Sequence, residues 1–352
     1  MRTFDYTLEY ERLLTPEIVA CLVRIHEYKV QMNLFMEEQK DVLGELMEAA
    51  KLQSVEASNH IEGIITSDGR LKMIVLDKTI PKNKSERDIA GYRDVLSHIN
   101  EGYAYISIRP SEILQLHQDL YRYSGSNVGG NYKKSDNIIS EELTDNIKSI
   151  CFQFVSPLET SEAMSRLCKA WTETIGNEIM DRILLIPMFV LDFLCIHPFN
   201  YGDVRMSQLL TSLLLYRAGY IVGQYISIEK LIADGKEVYF DAIQNSSKGW
   251  YEENNDYLPF VQYFLNVITD AYREFQNKIG ILTIKGLSKP DRVRKIIQST
   301  TGRITKSEII EKCPDISMIT VQRALADMLS RQEIIKIGGG RYTSYTWNWE
   351  KK

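Results

Sequence analysis

A chain of 352 residues is long enough for two domains, each with its own core. With 44% apolar and 25% charged residues and a formal charge of −5, it has an ordinary globular composition, which argues against a nucleic-acid surface spread over the whole molecule. The five cysteines, at 21, 151, 168, 195 and 313, lack pair spacing and read as reduced core thiols. Met1 to Tyr6 hold no apolar run, and the apolar stretch from Leu184 to Ile196 is broken by Pro187 and Asp192, so neither a signal peptide nor a membrane span is expected and the expected location is the cytoplasm.

Apolar residues at helical spacing predict amphipathic helices from Thr15 to Lys29 and from Met36 to Val55, then from Ser85 to Ile99 and from Ser111 to Tyr121. Val128-Gly129-Gly130 breaks this pattern, and the polar stretch up to Glu142 suits a hairpin. Further helices are predicted over 161–174, 178–185, 188–196, 203–217, 228–232, 237–246 and 256–278. Composition then shifts, and Gly280 with Gly286-Leu287-Ser288-Lys289-Pro290 reads as a linker over 279–290. Beyond it, helices over 292–300, 306–312 and 317–330 precede two strands, 334–337 and 342–347, joined at Gly338-Gly339-Gly340, an order that resembles a winged helix. The expected fold class is mostly all-α, with one hairpin and this carboxy-terminal unit. The expected organisation is an amino-terminal helical region over 1–100, a core over 101–278, the linker, and a unit over 291–348.

The most informative stretch is 197–208, His-Pro-Phe-Asn-Tyr-Gly-Asp-Val-Arg-Met-Ser-Gln, between two strongly apolar helices. Pro198 ends one helix and Gly202 permits a turn into the next, which starts near Asp203. A helix start offers free N–H groups and partial positive charge, which suits a phosphate chain, and His197 at the rim is placed to act as a general base.

This stretch resembles the signature of the Fic family, His-Pro-Phe-x-(Asp/Glu)-Gly-Asn-Gly-Arg-x-x-Arg, and the likeness extends over most of the chain. Ser58-Asn59-His60-Ile61-Glu62-Gly63 is similar to the family's inhibitory motif, Gly130 to Ser140 to its target-holding flap, and Tyr239-Phe240 with Ser246-Ser247 to its adenine pocket. The resemblance implies a helical bundle that transfers AMP from ATP to a hydroxyl side chain of a protein target. It implies His197 as base, Phe199 as anchor, and Gly202 and Arg205 on the phosphates. It further implies Ser58 and Glu62 as inhibitory residues, Lys133, Asn137 and Ile138 in the flap, and Tyr239, Phe240 and Ser247 around the base. It leaves room for a homodimer.

Four positions depart from the pattern. Tyr201 stands where the family has an acidic Mg²⁺ ligand, and a neutral phenol is a poor ligand for a hard cation. Asp203 replaces an asparagine and is expected to face the phosphates with like charge, Val204 replaces a glycine, and Gln208 replaces the second arginine. With Gln208 there, Glu62 is expected to meet a neutral amide, giving a weaker inhibitory contact. Two readings stay open: drift in a site whose chemistry has lapsed, or a rebuilt site in which Asp203 does metal work.

The other four histidines, 26, 60, 98 and 117, lack partners at metal spacing and are expected to be surface or hydrogen-bonded core residues. Lys133-Lys134 is open both to phosphate or target steering and to plain solvation. In the carboxy-terminal unit, Thr320, Gln322, Arg323 and Asp327 form the outward face of the third helix. Its slight basic excess suits DNA or protein contact equally.

Overall fold

The computed structural model describes all residues except 1, 39, 125–127, 137, 143–147, 177–179, 287, 301, 314–315, 341–342 and 349–352, and within its helices and strands the side chains of 37–42, 138–142, 148–153, 280–286 and 299 as well. The fold is mostly helical, and its contacts divide it into a unit from Met1 to Phe275 and a second from Gln276 to Lys352. Among the described residues no helix is long and apolar enough to cross a membrane.

The first unit begins with helix α1 (Tyr6–Leu13), whose N-terminal N–H groups, those of Thr7 and Leu8, donate to the Asp5 carboxylate. Helices α2 (Pro16–Glu38) and α3 (Lys40–Ile61) run well past the predicted segments. Two short helices were not expected, α1 and α4 (Asp68–Val75); α4 buries Leu71, Ile74 and Val75. Helix α5 (Lys84–Gly102) is capped by Asn83, whose side chain accepts the Glu86 N–H at 2.9 Å, and α6 (Pro110–Leu120) starts on a proline. Strands β1 (Ile138–Glu142) and β2 (Lys148–Gln153) pair antiparallel from Ile138↔Gln153 to Glu142↔Lys148, with a register shift between Ile139 and Ser140. Ile138 therefore opens the hairpin, while Asn137 lies outside the described residues.

Helix α7 (Pro157–Ile175) leads to the central pair, α8 (Arg182–Ile196) and α9 (Asp203–Arg217). The expected break before Met188 is absent, and Pro187 lies inside α8. A proline in a helix costs about 3 kcal/mol, whereas each large apolar side chain buried returns roughly 1.5–3 kcal/mol. Every residue from Ile183 to Ile196 is buried, so packing outweighs the lost bond. A 3₁₀ turn (Ile221–Gln224), α10 (Ile228–Asp234), α11 (Lys236–Ser247) and α12 (Leu258–Gly286) complete the run.

Asp192, the one acidic side chain of α8, is fully buried and satisfied: Tyr6 and Tyr257 hydroxyls donate to it at 2.8 and 2.9 Å and the Trp250 indole at 2.7 Å, with Arg2 Nε 3.8 Å away. Burial raises this carboxyl above its usual range, against the pull of Arg2 and its three donors. The cluster ties the amino-terminal arm and α1 to α8 and to the segment ahead of α12.

The predicted linker is corrected at both ends. α12 continues to Gly286 and the next helix, α13 (Lys289–Ser299), starts with Ser288 as cap and Pro290 in its first turn. A lone Gly280 costs a helix only about 1 kcal/mol, too little to stop it. The second unit then holds β3 (Ile304–Thr305), α14 (Lys306–Lys312), α15 (Met318–Ser330), β4 (Ile334–Ile337) and β5 (Ser344–Trp347). Its sheet has three strands in the order β3-β5-β4, one more than expected, over a core that includes Val293, Ile309, Val321 and Tyr345. On α15, Gln322, Arg323 and Asp327 are exposed and Thr320 is half-buried.

Replacing Asp192 by Ala leaves three buried donors without their acceptor and Arg2 without its counter-charge. A loss of about 3–5 kcal/mol of stability is expected, measured by urea unfolding, with no change in helix content.

Candidate functional site

The turn between α8 and α9 is made by two residues with left-handed backbone, His197 (φ 50°) and Gly202 (φ 84°). The first ends α8, its N–H donating to the Phe193 carbonyl at 2.9 Å, and the second caps α9, its carbonyl accepting the Met206 N–H at 2.8 Å. Two struts hold the loop between them. His117 on α6 donates from Nε2 to the Tyr201 carbonyl (3.1 Å) and accepts the Gly130 N–H at Nδ1 (3.0 Å), while its ring stacks on Phe199 at 3.6 Å. Lys133 gives its main-chain N–H to the Pro198 carbonyl (2.8 Å) and its ammonium to the Ile196 carbonyl (3.0 Å).

Lys133 therefore is not a solvated lysine. It is 3% exposed, and burial draws its ammonium down to about 8. Lys134 beside it is exposed.

His197 packs against Phe154, just past β2, with ring centroids 4.1 Å apart, and its Nδ1 is 3.1 Å from Asp203 Oδ2. Burial first, and the Lys133 charge second, lower its imidazole to about 4, so at neutral pH it is an uncharged base. The expectation that Asp203 faces the phosphates with like charge is corrected. Its side chain is 1% exposed, Oδ1 accepts the Phe199 N–H at 3.0 Å, and Oδ2 turns to His197. Burial holds this carboxyl well above the usual range, towards the neutral acid.

The second correction concerns Glu62. Helix α3 ends at Ile61, and the N–H groups of Gly63 and Ile64 return to the His60 and Asn59 carbonyls, with Gly63 at φ 74°. This cap aims Glu62 at the start of α9. Its carboxylate accepts Arg205 Nε at 2.7 Å and the Arg205 main-chain N–H at 3.4 Å, instead of meeting Gln208. Gln208, 3% exposed, takes the hydroxyl of Ser58 through Oε1, while its Nε2 is buried without a partner. The contact expected to be a weak neutral one is thus charge-assisted, and such bonds are roughly twice as strong as neutral ones.

Arg205 is 2% exposed. Its Nη2 donates to the Tyr121 hydroxyl at 2.8 Å, and Nη1 has no partner. Residues Glu62, Lys84, Arg87, Asp88, Tyr121, His197 and 200–205 line one cleft of about 750 Å³. A positive-φ glycine at a helix start, an orphaned guanidinium nitrogen and a neutral imidazole around one opening fit a phosphate chain.

A hard cation fits less well. Tyr201 is a solvent-facing phenol, Asp203 is turned inward, and no group of three metal-binding side chains occurs among the described residues. Residues 239, 240 and 247 do not line this cleft. Tyr239 is buried against Phe260 and Tyr263, Phe240 is 40% exposed, and the Ser247 hydroxyl donates to Gln244. Lys236 at the start of their helix instead bonds the Ile61 carbonyl at 3.3 Å, so α11 meets the end of α3.

Sequence reasoning missed Tyr121, Lys84 and Arg87, and gave His117 no part in the site. His117 carries no local signal, whereas Asn83 followed by Glu86 is a recognisable helix start that announces the neighbouring cations.

The buried His117 and the half-buried His197 set a pH response. His117 is lowered to about 4 by burial, as His197 is. The unfolded chain binds their protons near 6.5 and the folded one only near 4, so stability is full above about pH 6.5 and falls as pH drops towards 4. Urea unfolding between pH 7 and 4.5 is expected to show that slope, made shallower by His117→Gln.

Residues 106–215 match the family model described as the Fic/DOC family. A curated relative, "Protein adenylyltransferase Fic" of Culex quinquefasciatus, is 24% identical over 221 residues, 61% of this chain but only 39% of that protein's length. Among solved structures, a Fic family protein from Desulfovibrio desulfuricans G20 is similar at a TM-score of 0.60 and 17% identity, covering 96% of this chain and 98% of its own. A Fic domain containing signaling protein from Bacteroides thetaiotaomicron VPI-5482 also scores 0.60, at 20% identity, over 77% and 99% of the two chains. Fic-1 from C. elegans (residues 134–508) scores 0.58 at 18% identity over 76% and 73%. The helix–loop–helix at 182–217 falls almost wholly within the stretch 106–215 that matches the Fic/DOC family model, and the fold is that of the Fic proteins it resembles.

Proposed function

We propose that this protein binds ATP in the cleft beside α9 and transfers AMP to a hydroxyl side chain of a protein target, with Glu62 restraining the reaction. The observation that carries this reading is Arg205: a buried guanidinium with one nitrogen unpartnered, at a glycine-led helix start, whose present counter-ion is a carboxylate from the turn that ends α3.

Neutral His197 accepts the proton of the target hydroxyl, and the oxygen attacks the α-phosphorus. The bond from that phosphorus to its bridging oxygen breaks, and pyrophosphate leaves with the electron pair. Charge grows on the phosphoryl oxygens, and Arg205 with the first N–H groups of α9 meets it. For that, Arg205 must exchange Glu62 for phosphate. The Tyr121 hydroxyl keeps the guanidinium in place during the exchange. These residues do not supply a Mg²⁺ site, and no step is routed through one. The β1–β2 hairpin, which ends one residue ahead of Phe154 on the His197 ring, serves as the target-holding flap. A cytoplasmic location accords with Cys21, Cys168, Cys195 and Cys313 being free thiols.

A second reading, an impaired relative acting through its carboxy-terminal unit, is favoured by one observation. Met318 (45% exposed) and Ile319 (62%) open α15 as bare apolar side chains next to exposed Gln322 and Arg323, a mixed surface that suits a protein partner better than a phosphate backbone.

Incubation with α-labelled ATP separates the two. Glu62→Gly is expected to raise labelling of protein at least about tenfold, and His197→Ala in that background to lower it by about 10²–10⁴-fold, the usual worth of a general base. Absence of label from every variant, together with a partner retained by His197→Ala, would establish the second reading instead.

A further inference from the structure

The cleft has a second positive wall that none of the Fic-like motifs contains. Helix α5 begins at Lys84, and Lys84, Ser85, Arg87 and Asp88 line the same opening as Gly202 and Arg205. Lys84, Arg87 and Asp88, three and four positions apart, lie on one face of α5. Glu86 turns away and pairs with Arg70 at 2.6 Å, so it neutralises neither cation. No ion pair engages Lys84 or Arg87 among the described residues, and Arg87 Nε is buried without a partner. They stand in the first turn of a 19-residue helix, whose positive dipole end adds to theirs. Of the carboxylates lining the opening, Asp88 accepts the Ser124 hydroxyl at 3.3 Å, Glu62 holds Arg205, and Asp203 is turned inward. Two cations without an ion pair among the described residues and the orphaned Nη1 of Arg205, itself 2% exposed, therefore face one volume of about 750 Å³, with Asp88 the one carboxylate beside them on α5.

We propose that the start of α5 is a second anion subsite, in which Lys84, Ser85 and Arg87 take the distal phosphate of a polyphosphate whose nearer phosphates lie at Gly202 and Arg205. The inference rests on the ATP reading above and deepens it. Gln208 leaves the far end of the phosphate chain without an arginine from α9, and cations from a different helix stand in for it. A ligand with a single phosphate reaches Arg205 alone. A triphosphate spans both walls.

Inorganic tripolyphosphate and orthophosphate are the probes, titrated calorimetrically into the full chain carrying Glu62→Gly and into the same chain with Lys84→Ala and Arg87→Ala added. Tripolyphosphate affinity is expected to fall about tenfold or more, as loss of charge-assisted contacts implies, with orthophosphate affinity unchanged. Lys84→Ala with Arg87→Gln, which keeps the length of the side chain, is expected to give the same loss and guards against a folding defect. Equal tripolyphosphate affinity in all variants, or none in Glu62→Gly itself, overturns the subsite. The function stands or falls separately: label transfer without this discrimination overturns only the subsite, and discrimination without label transfer overturns only the transferase reading.

Discussion

The ion pair between Arg205 and Glu62 is the constraint around which the site is organised. A guanidinium 2% exposed to solvent is tolerable only with a counter-charge in contact, because an isolated buried charge costs several kcal/mol. Glu62 supplies that charge from the end of α3, and the cap formed by Asn59, His60, Gly63 and Ile64 fixes where it points. The same requirement makes the site responsive, since any ligand that presents an anion to Arg205 competes with the chain's own carboxylate. Stability and occupancy of the cleft are therefore coupled through one guanidinium.

Around that pair, the loop is held by residues that do no chemistry themselves. His117 and Lys133 satisfy the carbonyls of residues 196 and 201, which a turn leaves without helical partners. Both pay in desolvation, and both are shifted towards their neutral forms. A neutral His117 can donate from one nitrogen and accept at the other, which is what the Tyr201 carbonyl and the Gly130 N–H require. Lys133 has a further effect: its charge helps keep His197 unprotonated, so the strut that holds the loop also tunes the imidazole at its rim.

The four departures from the family pattern acquire different meanings in three dimensions. Asp203 lies inward, where its Oδ1 accepts the loop's own Phe199 N–H and its Oδ2 turns to His197, so it is not set against a phosphate. Gln208 does not face Glu62; it meets Ser58 one turn earlier on α3. The Glu62 contact expected at position 208 is made at position 205 instead, and it is charge-assisted. Tyr201 remains a loss for a hard cation, since its phenol faces solvent where a carboxylate would be the better ligand.

Much was legible in the residues alone. Periodicity marked most helices, because burying one face of a helix leaves a 3.6-residue signature, and the glycine and proline between residues 197 and 203 marked the turn. The order of the four Fic-like motifs gave the resemblance to the Fic family. Other features were decided only by packing. Pro187 reads as a break, yet complete burial of α8 carries the helix through it. Lys133 reads as a solvated charge, yet the carbonyls at the end of α8 draw it in. Glu62 chose Arg205 over Gln208 because the direction of a side chain at a helix end depends on the cap and on the neighbouring helix. A linear pattern records which charges exist; which of them meet is set by helices brought together from distant parts of the chain.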